Sequence, residues 1–152
     1  MIKIRPYNNK DKDNVINLIK EVLFEIFGAE PKNIEDLKNI EKEYFKNEGT
    51  FLIAEVNEKI VGTIAIKKEK NKVARLKRMF VDQKYRRQKI GQKLLDEILK
   101  FCKDKGYEKI ILSTYPQMKA AIKFYKREGF KKYKKTSKRI FFEKNLKVPG
   151  GN

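Results

Sequence analysis

The sequence predicts an α/β (α+β) domain, with a mixed, mostly antiparallel central sheet of about six to seven strands flanked by about four helices. Three observations carry that prediction. Residues 51–81 hold three apolar, β-rich runs joined by two short polar turns, the pattern of an antiparallel meander. Residues 76–114 then read strand, helix, strand, a βαβ unit with a parallel pair. A helical half precedes the meander, and a final hairpin closes the chain.

The elements follow in order. Ile2 and Ile4 alternate with Lys3 and Arg5, a short strand stopped by Pro6. Asp11 or Asp13 is the expected cap of the next helix. Val15, Ile16, Ile19, Val22, Leu23, Ile26 and Phe27 give that helix an apolar stripe about four turns long, ending at Gly28. Glu30 and Pro31 mark a loop. A second, more polar helix is expected with Ile34, Leu37, Ile40, Tyr44 and Phe45 inward, closed by Gly49. Strands 51–56 and 59–66 meet at the tight turn Asn57-Glu58, and a turn over 69–71 leads into strand 73–81. In that strand Leu76, Met79 and Val81 break strict alternation, as an inserted bulge residue would.

Ile90, Leu94, Leu95, Ile98 and Cys102 form the stripe of the next helix, which Gly106 ends. Residues 109–114 make a strand. Met118, Ala121, Ile122 and Tyr125 repeat helically before Gly129. Residues 131–135 and 140–142 pair as a hairpin turning near Thr136 and Ser137. The expected organisation is one domain over residues 1–148 with a tail at 149–152.

At 152 residues the chain is long enough for one substantial core. The N-terminus has no apolar h-region of a signal peptide, and no apolar run approaches the ~20 residues of a bilayer span. A soluble protein is therefore expected, without a membrane partner. One cysteine permits no internal disulfide and suits the cytoplasm. Zero histidines exclude a histidine base, a histidine metal ligand and a Ser–His triad, and no metal site is expected. The net charge of +18 predicts attraction to polyanions, whether nucleic acid, anionic membrane or a polyphosphate cofactor.

The informative stretch is residues 81–95. A strand gives way to a basic loop with Arg86, Arg87 and Lys89, and a helix opens at Ile90-Gly91. The first helical N–H groups have no intrahelical acceptor and sit at the positive end of the helix dipole, which favours a phosphate. Gly91 lets a ligand approach the first turn closely. The plain alternative is a solvated basic loop. Cys102 reads as a packed apolar residue, since no base accompanies it.

The element order, the basic loop after the fourth strand and two motifs resemble the GNAT superfamily of acyl-CoA-dependent N-acyltransferases. The resemblance spans roughly residues 2–146. The cofactor motif [Gln/Arg]-x-x-Gly-x-[Gly/Ala] falls on Arg86, Arg87, Gln88, Lys89, Ile90 and Gly91. A second segment, Ala-Ile-x-x-Tyr-x-x-x-Gly-Phe, falls on residues 121–130 with its tyrosine at Tyr125. The resemblance implies that Met79, Phe80 and Val81 hydrogen-bond the pantetheine of acetyl-CoA, that residues 86–91 hold its pyrophosphate, and that Tyr125 protonates the departing thiolate. It implies an N-acetyltransferase using acetyl-CoA as cosubstrate and an unidentified amine acceptor.

Three positions depart from the family pattern. Lys89 replaces a glycine, Met118 replaces a common asparagine, and Arg75 stands where one branch carries a glutamate base. Arginine is no base at neutral pH. Glu25, Glu30 and Glu55 are then carboxylate candidates, and Glu25, Glu30 and Arg75 are assigned to the acceptor side. Arg75 also suits an acceptor bearing an anionic group. Two other classes stand beside the enzyme: a non-catalytic acyl-CoA-binding or sensing module, and a basic RNA-binding protein using the cluster at residues 131–139. The oligomeric state is open, a homodimer included.

Overall fold

The computed structural model describes residues 1–146, so the tail expected at 149–152 lies outside the described residues, as does the end of the 1–148 span. The strands are β1 (Ile2–Pro6), β2 (Thr50–Val56), β3 (Lys59–Lys70), β4 (Val73–Val81), β5 (Lys109–Thr114), β6 (Lys131–Lys135) and β7 (Ile140–Asn145). The helices are α1 (Lys12–Phe27), α2 (Glu35–Lys38), α3 (Ile40–Glu43), α4 (Ile90–Lys105) and α5 (Lys119–Arg127). One seven-stranded sheet runs β1-β2-β3-β4-β5-β7-β6. Among the described residues, only β4 and β5 pair in parallel; every other neighbouring pair is antiparallel.

Helices cover both faces of the middle of the sheet. One core packs Ile64, Ile66 and Leu76 against Leu94, Leu95 and Ile98 of α4. The other packs Phe51, Ile53 and Ala65 against Val15 and Ile19 of α1 and Leu37 and Tyr44 of the α2–α3 region. A strand buried on both faces needs apolar residues at consecutive positions, which explains the buried run in β3 from Ile60 to Ile66, polar only at Thr63. Gly49 enters β2 so close to β3 that a Cβ there would lie 1.8 Å from the Ile66 carbonyl oxygen.

Several expectations need correction. The second helix is two single turns, α2 and α3, followed by a 3₁₀ turn at Phe45–Asn47. Asn39 interrupts it at φ −144°, and its side chain instead accepts from the Lys42 N–H at 3.1 Å. The inward residues Leu37, Ile40 and Tyr44 are nonetheless buried. Asp11 does not cap α1. Its carboxylate accepts two hydrogen bonds from Arg5 at 2.8 Å and one from the Asn8 N–H at 2.9 Å. β3 continues to Lys70, and the turn to β4 falls on Asn71 and Lys72. The final hairpin folds back so that β7 lies between β5 and β6.

Candidate active site

The site begins with an irregularity in β4. Thr63 pairs with Phe80 while Ala65 pairs with Lys77, so Arg78 and Met79 together oppose Ile64. This is the bulge expected from the broken alternation. Arg78 takes φ +54°, and its carbonyl accepts the Thr63 hydroxyl at 2.7 Å. The Arg78 side chain reaches α2, where Nη2 lies 2.6 Å and Nε 3.0 Å from the Asp36 carboxylate. Nη2 also donates to the Asn33 carbonyl at 2.8 Å, and the Tyr44 hydroxyl donates to the same carboxylate. Burial pushes the Asp36 carboxyl up, but the hydrogen bonds from Arg78 and Tyr44 outweigh it and hold it below the usual carboxylate range.

Ahead of the bulge β4 already parts from its parallel neighbour. Pairing with β5 covers only Val73 to Arg75, leaving the edge from Leu76 to Val81 without a β5 partner. A cavity of about 640 Å³ opens there. It is lined by Met79, Phe80 and Val81 from β4, by Arg86, Arg87, Lys89, Ile90 and Gly91 from the loop and α4, and by Met118, Phe124 and Tyr125 from the α5 region. Eight of the nine residues expected on the cofactor side are therefore brought together. Gln88 is in the same loop, exposed and outside the cavity wall.

The loop has the backbone of an anion site. Arg87 and Lys89 take φ +67° and +64°, left-handed positions that gather successive N–H groups into a concavity. Among the described residues, the backbone N–H groups of residues 86–92 find no acceptor within the protein. The first paired amide is that of Lys93, which donates to Lys89 at 3.1 Å. These orphan donors, with the Arg87, Lys89 and Lys119 side chains also lining the cavity, fit a diphosphate. Arg86 is committed elsewhere. It donates to both Glu25 oxygens at 2.7 and 2.9 Å and to the Val81 carbonyl at 3.1 Å. Glu25, expected on the acceptor side, thus ties α1 to this loop and lines neither cavity.

Tyr125 is buried, with its ring 5.5 Å from Phe130 and 5.7 Å from Phe124. Burial pushes its phenol well above the ordinary tyrosine range, so the hydroxyl keeps its proton at neutral pH. A second cavity, of about 1100 Å³, shares Met79, Phe80, Met118 and Tyr125 with the first. Arg75 and Glu30, which the sequence assigned to the acceptor side, line it. Arg75 is bonded to Glu69 at 2.6 Å. Glu55 is on β2, paired with Arg5 and Lys3 and away from both cavities. The Met118 sulfur accepts the Thr114 hydroxyl at 3.2 Å, and Cys102 is buried, its thiol pushed up to about 12 by desolvation.

The sequence reading missed Lys77 and Arg78 as site residues. The broken alternation of β4 was the available signal, since a bulge re-aims the side chains beside it. Asp36, the partner that anchors Arg78, is 42 positions away and gave no local sign.

A family model described as the acetyltransferase (GNAT) family matches residues 14–130. The human protein N-acetyltransferase 8 is 36% identical over 103 residues, 64% of this chain and 45% of its own length. An uncharacterized N-acetyltransferase of Methanocaldococcus jannaschii is 31% identical over 141 residues, 86% of this chain and 62% of its own. The chain spans about half the length of several curated relatives it matches. Among solved structures, a GNAT-family acetyltransferase from Staphylococcus aureus Mu50 superimposes with TM-score 0.90 at 34% identity, covering 97% of this chain and 100% of that one. The PaiA N-acetyltransferase of Thermoplasma acidophilum, in complex with coenzyme A, gives TM-score 0.79 at 25% identity over 96% and 99% of the two chains. Among the described residues no helix is long and apolar enough to cross a membrane.

Proposed function

The chain belongs to the acetyltransferase (GNAT) family, and on that premise we propose that it is an acetyl-CoA-dependent N-acetyltransferase moving acetyl directly to a primary amine. One observation carries the reading. Apart from Gln88, the residues with orphan amides over 86–92 line one cavity together with the free β4 edge and Tyr125. The coenzyme A complex of the Thermoplasma relative supports giving that cavity to a CoA thioester. The loop amides would take the diphosphate, and residues 79–81 the pantetheine amides.

The acceptor nitrogen enters from the second cavity and attacks the thioester carbonyl carbon. A β4 backbone N–H stabilises the oxyanion. As the new C–N bond is retained, the C–S bond breaks and the Tyr125 hydroxyl protonates the leaving sulfur. The amine's proton passes to solvent, directly or through Glu30, and Tyr125 is reprotonated. Neither role needs a histidine, and the chain has none. A cytoplasmic location belongs to the same proposal, in line with a single buried, unpaired thiol.

The experiment is thiol release from acetyl-CoA with a panel of primary amines, repeated with Tyr125→Phe. Loss of about 10²–10⁴-fold in kcat is expected; an unchanged kcat would remove the acid role. The left-handed Lys89 and the methionine at position 118 favour a second reading, an acyl-CoA-binding module without catalysis. Tight acetyl-CoA binding with no turnover for any amine is the result that reading expects.

A further inference from the structure

The second cavity is built with more positive charge than the fold neutralises. Lys32, Lys67, Arg75, Lys77, Arg78, Lys138 and Arg139 all line it, against the two carboxylates Glu30 and Glu69. Three of these cations have carboxylate partners: Arg75 with Glu69, Arg78 with Asp36, and Lys67 with Glu43 at 3.6 Å. Among the described residues, Lys32, Lys77, Lys138 and Arg139 have none within 4.0 Å. Two of them, Lys77 and Arg139, are held in place. The Arg139 guanidinium donates to the Ser113 hydroxyl at 3.1 Å and the Tyr115 hydroxyl at 2.8 Å, and lies 4.6 Å over the Tyr115 ring. It is exposed and held by neutral groups, with no carboxylate partner.

Lys77 is the more telling residue. It follows Leu76 into the free stretch of β4, half-buried beside the bulge. Burial holds its ammonium below the usual lysine range, and the Lys67, Arg78 and Arg75 charges add to this; Asp36 alone acts in the other direction. A desolvated cation among cations is unfavourable unless an anion joins it. Arg75, the residue that first pointed to an anionic acceptor, is already occupied by Glu69. The unmet demand has moved two residues along the strand and across to the hairpin before β7.

We infer that the acceptor amine also carries an oxyanion, a carboxylate or a phosphate monoester, and that Lys77 and Arg139 hold it in the second cavity. This rests on the acetyltransferase reading. Arg139, in the turn between β6 and β7, presents a fork suited to either oxyanion, and Lys77, on β4, a point charge. An anion there orients the substrate with its amine toward the cavity wall shared with Tyr125.

The test is thiol release from acetyl-CoA with amines in matched pairs. Phenylalanine is compared with phenylalaninamide, β-alanine with β-alaninamide, and O-phosphoethanolamine with 2-methoxyethylamine. The anionic member of at least one pair should be favoured by about 10–100-fold in kcat/KM, the worth of one charge-assisted hydrogen bond. Whether a carboxylate or the phosphate wins identifies the source of the oxyanion. Lys77→Met and Arg139→Met should each raise KM for that member and shrink the preference. Lys77→Met should melt no lower than the parent, because it removes a desolvated cation. Equal or better use of the uncharged members, or a preference that survives both substitutions, overturns the inference and leaves the acetyltransferase reading standing. No thiol release with any amine, by protein that binds acetyl-CoA, overturns both.

Discussion

Asp36→Asn isolates the contact that pins the bulged strand to the helical cap. The two side chains of the Arg78–Asp36 pair are only 12% and 9% exposed. Substitution by asparagine keeps the shape and one possible acceptor for Tyr44, but leaves the Arg78 guanidinium buried without its counter-charge. Breaking one side of a buried pair costs about 3–5 kcal/mol. For a chain of this length that corresponds to a fall in Tm of about 6–20 °C. The assay is thermal and urea unfolding of parent, Asp36→Asn and Arg78→Met, together with the double variant Asp36→Leu/Arg78→Met. Replacing both partners by apolar groups should cost less than either single change, since no charge is then stranded. An Asp36→Asn variant within about 0.5 kcal/mol of the parent, the range of ordinary surface changes, would refute the claim that this pair fastens β4.

Two further outcomes follow from the same geometry. Lys89→Gly should stabilise by about 0.5–1 kcal/mol, because Lys89 takes φ +64° and glycine does so without a Cβ penalty. Its acetyl-CoA affinity, measured by calorimetry, should stay within about threefold of the parent if main-chain amides provide the grip; a tenfold loss would assign the grip to the ammonium. Acid should unfold the protein through its paired carboxylates. The Arg5 hydrogen bonds hold Asp11 below the usual range, and Asp36 is likewise held low despite its burial. Depressed folded-state values mean stability is present above the unfolded carboxylate range near pH 4 and is lost as pH falls below it. Unfolding midpoints taken from pH 7 to pH 2 should fall in that lower window; a flat profile would contradict the sign.

Much of this was legible locally. Asn57 and Glu58 adopt φ +50° and +67°, the two-residue turn their position between strands implied. Gly106 ends α4 in the left-handed region, as a glycine after an apolar stripe implies. The cofactor-side residues cluster because they are contiguous on one strand, one loop and one helix start. What was hidden depended on distant partners. The apolar spacing of residues 34–45 was right about burial but silent about Asn39, whose side chain competes with the helix for a backbone amide. Glu25 reads as a free carboxylate until α1 is packed beside the loop and Arg86 meets it, 61 positions later. The insertion of β7 between β5 and β6 leaves no mark in a hairpin's own sequence.

In the proposed enzyme, main-chain amides at the start of α4 hold the diphosphate of a CoA thioester. Titration calorimetry of the protein with acetyl-CoA and with S-acetylpantetheine, which lacks the diphosphate, tests it most directly. Acetyl-CoA should bind at least about tenfold tighter than S-acetylpantetheine, from charge-assisted bonds to the loop. Equal affinities, or no heat with acetyl-CoA at millimolar concentration, would contradict it.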